Sequence, residues 1–255
     1  AQVYVGRRSL VIDVFGMSTD SQFVNTLLDV IRKRGAMDKL ISDSAKVEAS
    51  QRVDEVLRAL IITRHRSERD YQHQNFAEHR YNHLKRNTNF VMNLRNVPPE
   101  LWLLCLQWVA DVMNLTSERS LGYRVPLGVL TGQTMDISIL LMFFFYDVVY
   151  FTRPKSKDYS GGVGNEKTSE VRAWFVGFAW DCGHALTFKV LTCDTRQIVE
   201  ISQMRAAGDG INNLRLDSKA GEVPTKNFIW SNREDDDELP TIQADNAPFV
   251  EDKTD

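Results

Sequence analysis

The chain has 255 residues, 43% of them hydrophobic and 25% charged, with a formal net charge of −3, so it can bury a sizeable core in one domain or two. The mild net acidity speaks against a uniformly basic nucleic-acid binder. Three unevenly spaced cysteines, Cys105, Cys182 and Cys193, point to a reduced, intracellular protein rather than a disulfide scaffold, and the longest apolar run, residues 137–151, is broken by Asp147 and too short to cross a bilayer.

The average hides an uneven distribution of charge. Between Arg64 and Arg95 seven Lys/Arg stand against three acids, and four of the five histidines fall there too. From Glu234 onward the balance reverses, beginning with Glu234-Asp235-Asp236-Asp237-Glu238. The chain is therefore a basic region joined to an acidic tail.

In chain order, Val3-Tyr4-Val5 and Leu10-Val11-Ile12-Asp13-Val14-Phe15 are β-rich runs separated by Gly6-Arg7-Arg8-Ser9, which reads as a hairpin. Ser18-Thr19-Asp20 can cap a helix with Phe23, Leu27, Val30 and Ile31 at helical spacing, closed by Arg32-Lys33-Arg34-Gly35. A short apolar strand, Leu40-Ile41-Ser42, then stops on Asp43 and small residues, as a buried strand ending at a site does. Val53, Val56, Leu57 and Leu60 predict a helix over about 47–60, Ile61-Ile62-Thr63 a short edge strand, and residues 64–73 a polar loop.

From Asn75 a helix is expected to run to about Val97, where Pro98-Pro99 ends it. Residues 101–115 are apolar nearly all round and predict a buried helix, with Trp102 and Trp108 both in its core. Residues 126–138 read as loop and 137–151 as a buried strand or helix. A linker over 153–170 precedes three short strands near 174–178, 185–191 and 197–201, as in a small β-module. Beyond residue 208 the periodicity is lost, and the acidic stretch to residue 255 is expected to be disordered.

Asp43 at a strand end and Glu78 in the first turn of a later helix are carboxylates that can share a divalent metal, the hard-oxygen chemistry of phosphoryl transfer. Taken singly, Asp43 can be a turn acid, and Glu78 can simply favour the positive end of its helix dipole. His79 and His83 lie one turn apart, but no Cys or His pair completes a tetrahedral zinc site, so they read as solvated helix residues. Gly161-Gly162-Val163-Gly164 lacks the strand and helix context of a phosphate loop.

Several ordered pieces carry a family likeness: Leu40-Ile41-Ser42-Asp43-Ser44-Ala45-Lys46, Gln74-Asn75-Phe76-Ala77-Glu78, residues 126–138 from Pro126-Leu127-Gly128-Val129 to Asp136-Ile137-Ser138, and Phe175-Val176-Gly177-Phe178. In order and spacing the chain resembles the integrase region of copia-type retrotransposon polyproteins, within the DDE integrase and transposase superfamily, over roughly residues 1–205. The resemblance implies an α/β fold: a partial ribonuclease-H-like core over 1–152, a linker over 153–170, a small all-β module over 171–207 and a disordered acidic tail over 208–255. It implies that Asp43 and Glu78 are the second and third catalytic carboxylates, holding Mg²⁺ or Mn²⁺. Lys46, Lys85 and Arg86 would contact DNA phosphate, contacts that are sequence-independent and salt-sensitive, and Asn75 at the start of the glutamate helix would cap it or touch DNA.

The implied partners are retroelement ends and target DNA, a homo-oligomer fits the family, no membrane is involved, and the setting is nuclear. The chain also departs from the family pattern. Only two strands precede the first helix and they match the family's second and third, so the first strand and its Asp are expected upstream of Ala1, with Asp13 a poor substitute. A fragment with two of three carboxylates is expected not to catalyse strand transfer by itself. Ser67-Glu68-Arg69-Asp70-Tyr71 lacks the Pro expected beside the glutamate helix. The competing reading is a non-catalytic nucleic-acid-binding or domesticated integrase-like module.

Overall fold

A computed structural model describes residues 1–42, 51–66, 76–152 and 170–207. The fold is mixed α/β. Strands β1 (Gln2–Val5) and β2 (Ile12–Phe15) form the expected antiparallel hairpin, with Val3 opposite Val14 and Tyr4 opposite Asp13. Alternation along these strands sends side chains to opposite faces. Ile12, Val14 and Val3 pack into one hydrophobic core, whereas Tyr4 and Phe15 pack against a second. The hairpin is thus a layer between two sets of helices.

The second core is built by helix α1 (Phe23–Arg34), strand β3 (Lys39–Ser42) and helix α2 (Gln51–Ala59). Phe23, Leu27, Val30, Leu40, Val53, Leu57 and Ile62 meet there. Gln22 reaches back to the Ser18 amide at 2.8 Å in front of α1, and Gly35 ends the helix at φ +89, a conformation favouring glycine. Strand β4 (Thr63–Arg66) pairs with β3 in parallel, setting Ser42 opposite Arg66. The expected edge strand is therefore displaced, and part of the expected polar loop is strand. Ile61 turns the chain at φ +57 with 90% of its surface exposed, and pairing starts only at Thr63.

Helix α3 (Phe76–Leu94) buries Arg80, Leu84, Thr88 and Val91 against helix α4 (Trp102–Leu115). The first core surrounds α4 on several sides: α3, β2, a short helix α5 (Pro126–Thr131) and the C-terminal sheet all contact it. Trp108 is buried as expected, but Trp102 is 46% exposed, because it opens the helix where neighbouring elements no longer cover it. The segment over 126–138 is not all loop. Pro126 at the start of α5 and Gly132, left-handed at φ +72, bound a short helix.

Strand β5 (Val148–Thr152) joins β6 (Glu170–Phe178), β7 (Phe188–Thr192), β8 (Ile198–Ile201) and β9 (Arg205–Ala206) in a five-stranded sheet ordered β8-β7-β6-β5-β9. The strands expected near 174–178 and 197–201 are there. The one expected over 185–191 begins only at Phe188, since Thr187 is spent on a turn in which its hydroxyl donates to the His184 carbonyl at 2.8 Å. Thr152 pairs opposite Glu170, so β5 and β6 adjoin across the segment expected as a linker. Phe143, Phe145, Phe175 and Phe188 fill the space between this sheet and α4. All three cysteines are free, and burial pushes the Cys105 thiol up to about 12. No helix among the described residues is long and apolar enough to cross a membrane.

Candidate functional site

Because β3 and β4 run parallel, their carboxyl ends, Ser42 and Arg66, lie side by side. Asp43 follows one of these ends in sequence, and the segment leading to α3 follows the other. Carboxyl ends of parallel strands are where open α/β sheets gather functional loops. Asp43, Lys46 and Asn75 themselves lie outside the described residues, as does the loop over 67–71. Glu78 stands in the first turn of α3 with its side chain exposed. Lys85 is seven residues further and therefore on the same helix face, and both Lys85 and Arg86 are exposed.

The basic region is less positive than its sequence suggests. Arg64 of β4 is paired with Asp54 of α2. Arg80 is buried and donates through Nη1 to Glu118 Oε2 at 2.6 Å, and Arg95 reaches Asp147 at 3.2 Å while lying over the Phe144 ring. These three cations are structural clamps to acids outside the run, which leaves Lys85 and Arg86 as solvent-facing charges of α3. His79 and His83 are also exposed on that helix. Among the described residues no group of three or more His, Cys, Asp or Glu side chains converges as a metal site. Glu78 offers one hard-oxygen ligand, and its expected companion is outside the described set.

Asp13, the poor substitute for a first catalytic acid, has a structural role. It is buried on the α1 face of β2, where Arg34 donates to both carboxylate oxygens at 2.8 and 2.9 Å and Lys33 Nζ stands 3.0 Å away. Burial raises its pKa, but the Arg34 bonds and the two positive charges outweigh that and hold the carboxyl below its ordinary value. The basic end of α1 therefore both suits the helix dipole and clasps the hairpin.

Two groups not singled out from sequence close the other side of β2. Asn114 of α4 accepts from the Ile12 amide at 2.8 Å and donates to the Ile12 carbonyl at 2.7 Å. Gln107, two turns earlier, donates to the Val14 carbonyl at 3.2 Å. Amides of one helix thus satisfy backbone groups that a further strand would otherwise use. The sequence signal was present as two amides seven residues apart in an apolar helix.

Between β2, α1, α4 and strands β6 and β7 lies a hollow of about 530 Å³. Asp111, half-buried in its wall, accepts from Trp180 Nε1 at 2.9 Å. Burial pushes the Asp111 carboxyl up to about 6, against the lowering effects of the Trp180 bond, Lys33 and Lys189. A folded-state pKa above the ordinary 3.8 means that this group favours folding at low pH, and that the contribution is lost as pH rises through about 6. Asp111→Asn is therefore expected to raise unfolding free energy at pH 7.5 by about 1–3 kcal/mol. In urea titrations that gain should shrink as pH falls through about 6 and vanish well below the ordinary value of 3.8, where the carboxyl is protonated in both the folded and unfolded chain; a gain constant with pH would contradict it.

No family model and no curated protein matches the chain. Among solved structures it is similar to the HTLV-2 integrase catalytic core domain in complex with magnesium. The trimeric form matches at TM-score 0.42 and 14% identity, covering 50% of this chain and 81% of that one. The dimeric form matches at TM-score 0.39 and 15% identity, with the same coverage. A simian T-cell lymphotropic virus intasome in complex with PP2A regulatory subunit B56 gamma matches at TM-score 0.40 and 14% identity, over 80% of this chain and 73% of that one. At 14–15% identity these likenesses assign no role to any residue of this chain.

Proposed function

We propose that the chain is part of a copia-type retrotransposon integrase, a DNA-binding protein that in its complete polyprotein carries out metal-dependent 3′-processing and strand transfer. The observation supporting this reading is the convergence of two chain directions: β3 and β4 end side by side, one leading directly to Asp43 and the other towards the helix whose first turn bears Glu78. In this reading Asp43 and Glu78 hold Mg²⁺ or Mn²⁺, which supplies activation of a water or 3′-hydroxyl and stabilises the leaving oxygen. Lys85 and Arg86 hold phosphate along the helix that bears Glu78, with Lys46 and Asn75 adding contacts from the segments that follow β3 and β4 in sequence. Arg80, clamped to Glu118, fixes the turn of α3 that presents Glu78. The setting is nuclear, and assembly as a homo-oligomer on DNA ends follows from the same reading.

Fluorescence anisotropy with duplex DNA across a salt series tests the binding half. Lys85→Ala combined with Arg86→Ala should weaken binding to all sequences alike and reduce the slope of log K against log salt by about 1–2. An unchanged slope would remove both residues from the interface. For the catalytic half, strand transfer by the complete polyprotein should be lost in Glu78→Ala and in Asp43→Ala while DNA binding persists. Transfer surviving either substitution would exclude that carboxylate from catalysis.

A further inference from the structure

Helices α4 and α5 are joined through a turn over residues 118–124 that closes on itself. The Glu118 amide donates to the Arg124 carbonyl at 3.0 Å, and the Glu118 carbonyl accepts from the amides of Leu121 and Tyr123 at 3.1 and 3.0 Å. Two consecutive residues make the reversal in the left-handed region, Gly122 at φ +65 and Tyr123 at φ +62. Glycine adopts that conformation freely, whereas a tyrosine does so at a cost in free energy. Burial does not offset the cost, because Tyr123 is 71% exposed. Neither local conformation nor packing accounts for an aromatic ring at this position, the pattern of a side chain kept for an external contact.

The neighbours of the ring define that contact. Arg119 and Arg124 lie in the same turn, both are exposed, and no acid among the described residues engages either. The turn is anchored to α3, since Glu118 binds Arg80 at 2.6 Å. His83, three residues further along α3, is close enough to feel the charges of both Glu118 and Arg86. Two guanidinium groups and an aromatic face are thus held beside the stretch of α3 that carries Arg86. An acidic peptide would answer the guanidinium groups and leave the ring face unused. Duplex DNA presents phosphates but keeps its base faces stacked on one another. An unpaired nucleotide presents both, a flat base between two phosphates, and base-on-aromatic stacking beside cations is how single strands are held.

We propose that this turn receives an unpaired base of DNA, with the Tyr123 ring stacked on the base and Arg119 and Arg124 on the flanking phosphates. Binding there rests on the DNA-binding reading above and adds to it a preference for strand ends that have come unpaired.

The test is fluorescence anisotropy of the full chain with a blunt duplex, with the same duplex extended by a short single-stranded overhang, and with an overhang of equal length made of abasic residues. The abasic strand keeps the phosphates and lacks the base faces. The parent chain should bind the base-bearing overhang about fivefold or more tighter than the abasic one. That preference should vanish in Tyr123→Ala and persist in Tyr123→Trp. Tyr123→Gly, which suits the left-handed backbone, should also lose it while melting no lower than the parent chain, so the loss cannot be assigned to unfolding. Arg119→Ala combined with Arg124→Ala should reduce the slope of log K against log salt by about 1–2. Equal binding of the two overhangs by the parent chain, or a preference that survives Tyr123→Ala, would overturn the proposal, while binding of the blunt duplex would leave the DNA-binding reading standing. Absence of salt-dependent binding to all three DNAs would overturn both. A poly-glutamate peptide bound as tightly as the overhang, and equally dependent on Tyr123, would assign the turn to an acidic protein partner and overturn the proposal as well.

Discussion

Glu118→Ala is expected to lower unfolding free energy by about 3–5 kcal/mol, the typical cost of leaving one member of a buried ion pair alone. Arg80 is 4% exposed, its Nη1 donates to Glu118 at 2.6 Å, and its Nε has no partner, so Glu118 is the principal group offsetting a buried positive charge. Glu118 is itself held in place: its amide donates to the Arg124 carbonyl, and its carbonyl accepts from the Tyr123 amide. The damage should spread beyond stability. Arg80 lies on the turn of α3 that carries Glu78, so amide hydrogen exchange in that turn should accelerate in Glu118→Ala. Combining Arg80→Met with Glu118→Gln removes both charges and should recover most of the loss. A single variant that melts like the parent chain would show that the pair does not anchor α3.

Asn114→Ala should cost about 3 kcal/mol, since it deletes two hydrogen bonds and strands two backbone groups in the core. Asn114 is 2% exposed, and its amide meets both the N–H and the C=O of Ile12. Asn114→Asp keeps an acceptor for the Ile12 amide but brings a buried charge and offers the carbonyl nothing, so it should fare no better. Urea denaturation of the two variants and of Asn114→Leu ranks these effects. Full stability in Asn114→Leu would mean that apolar packing, rather than the amide clamp, joins α4 to β2.

The two clamps mark where sequence reading succeeds and where it stops. Helix α1 was legible because its signals are local: Ser18-Thr19-Asp20 in front, Phe23, Leu27 and Val30 at one face, Gly35 behind. The hairpin and α3 were legible for the same reason. Strand β4 was misplaced because Ile61 is β-branched and apolar, while the residues that pair, Thr63–Arg66, are polar and gain their conformation from β3. Trp102 was assigned to the core by the apolar run around it, but burial at a helix end depends on neighbours that composition does not reveal.

The site was less legible than the fold. The run from Arg64 to Arg95 read as a basic surface, yet Arg64, Arg80 and Arg95 are answered by Asp54, Glu118 and Asp147. Asp54 is ten residues from its partner, and the other two acids lie far along the chain. Pairing at that separation is set by topology, so a local sum of charge overstates the field. Asp13 was weighed as a candidate for chemistry, and only the position of Arg34 across the layer assigns it to the clasp.

The antiparallel register of β5 and β6 sets Thr152 directly opposite Glu170. Both ends of residues 153–169 are therefore fixed by the sheet itself, whatever lies between them. The entropic cost of joining two fixed ends rises only slowly with the number of residues between them, by about 0.6 kcal/mol for each doubling. The register therefore rests on the pairing of Val148–Thr152 with Glu170–Phe178, and a change in the number of residues between the two strands leaves that pairing as it is.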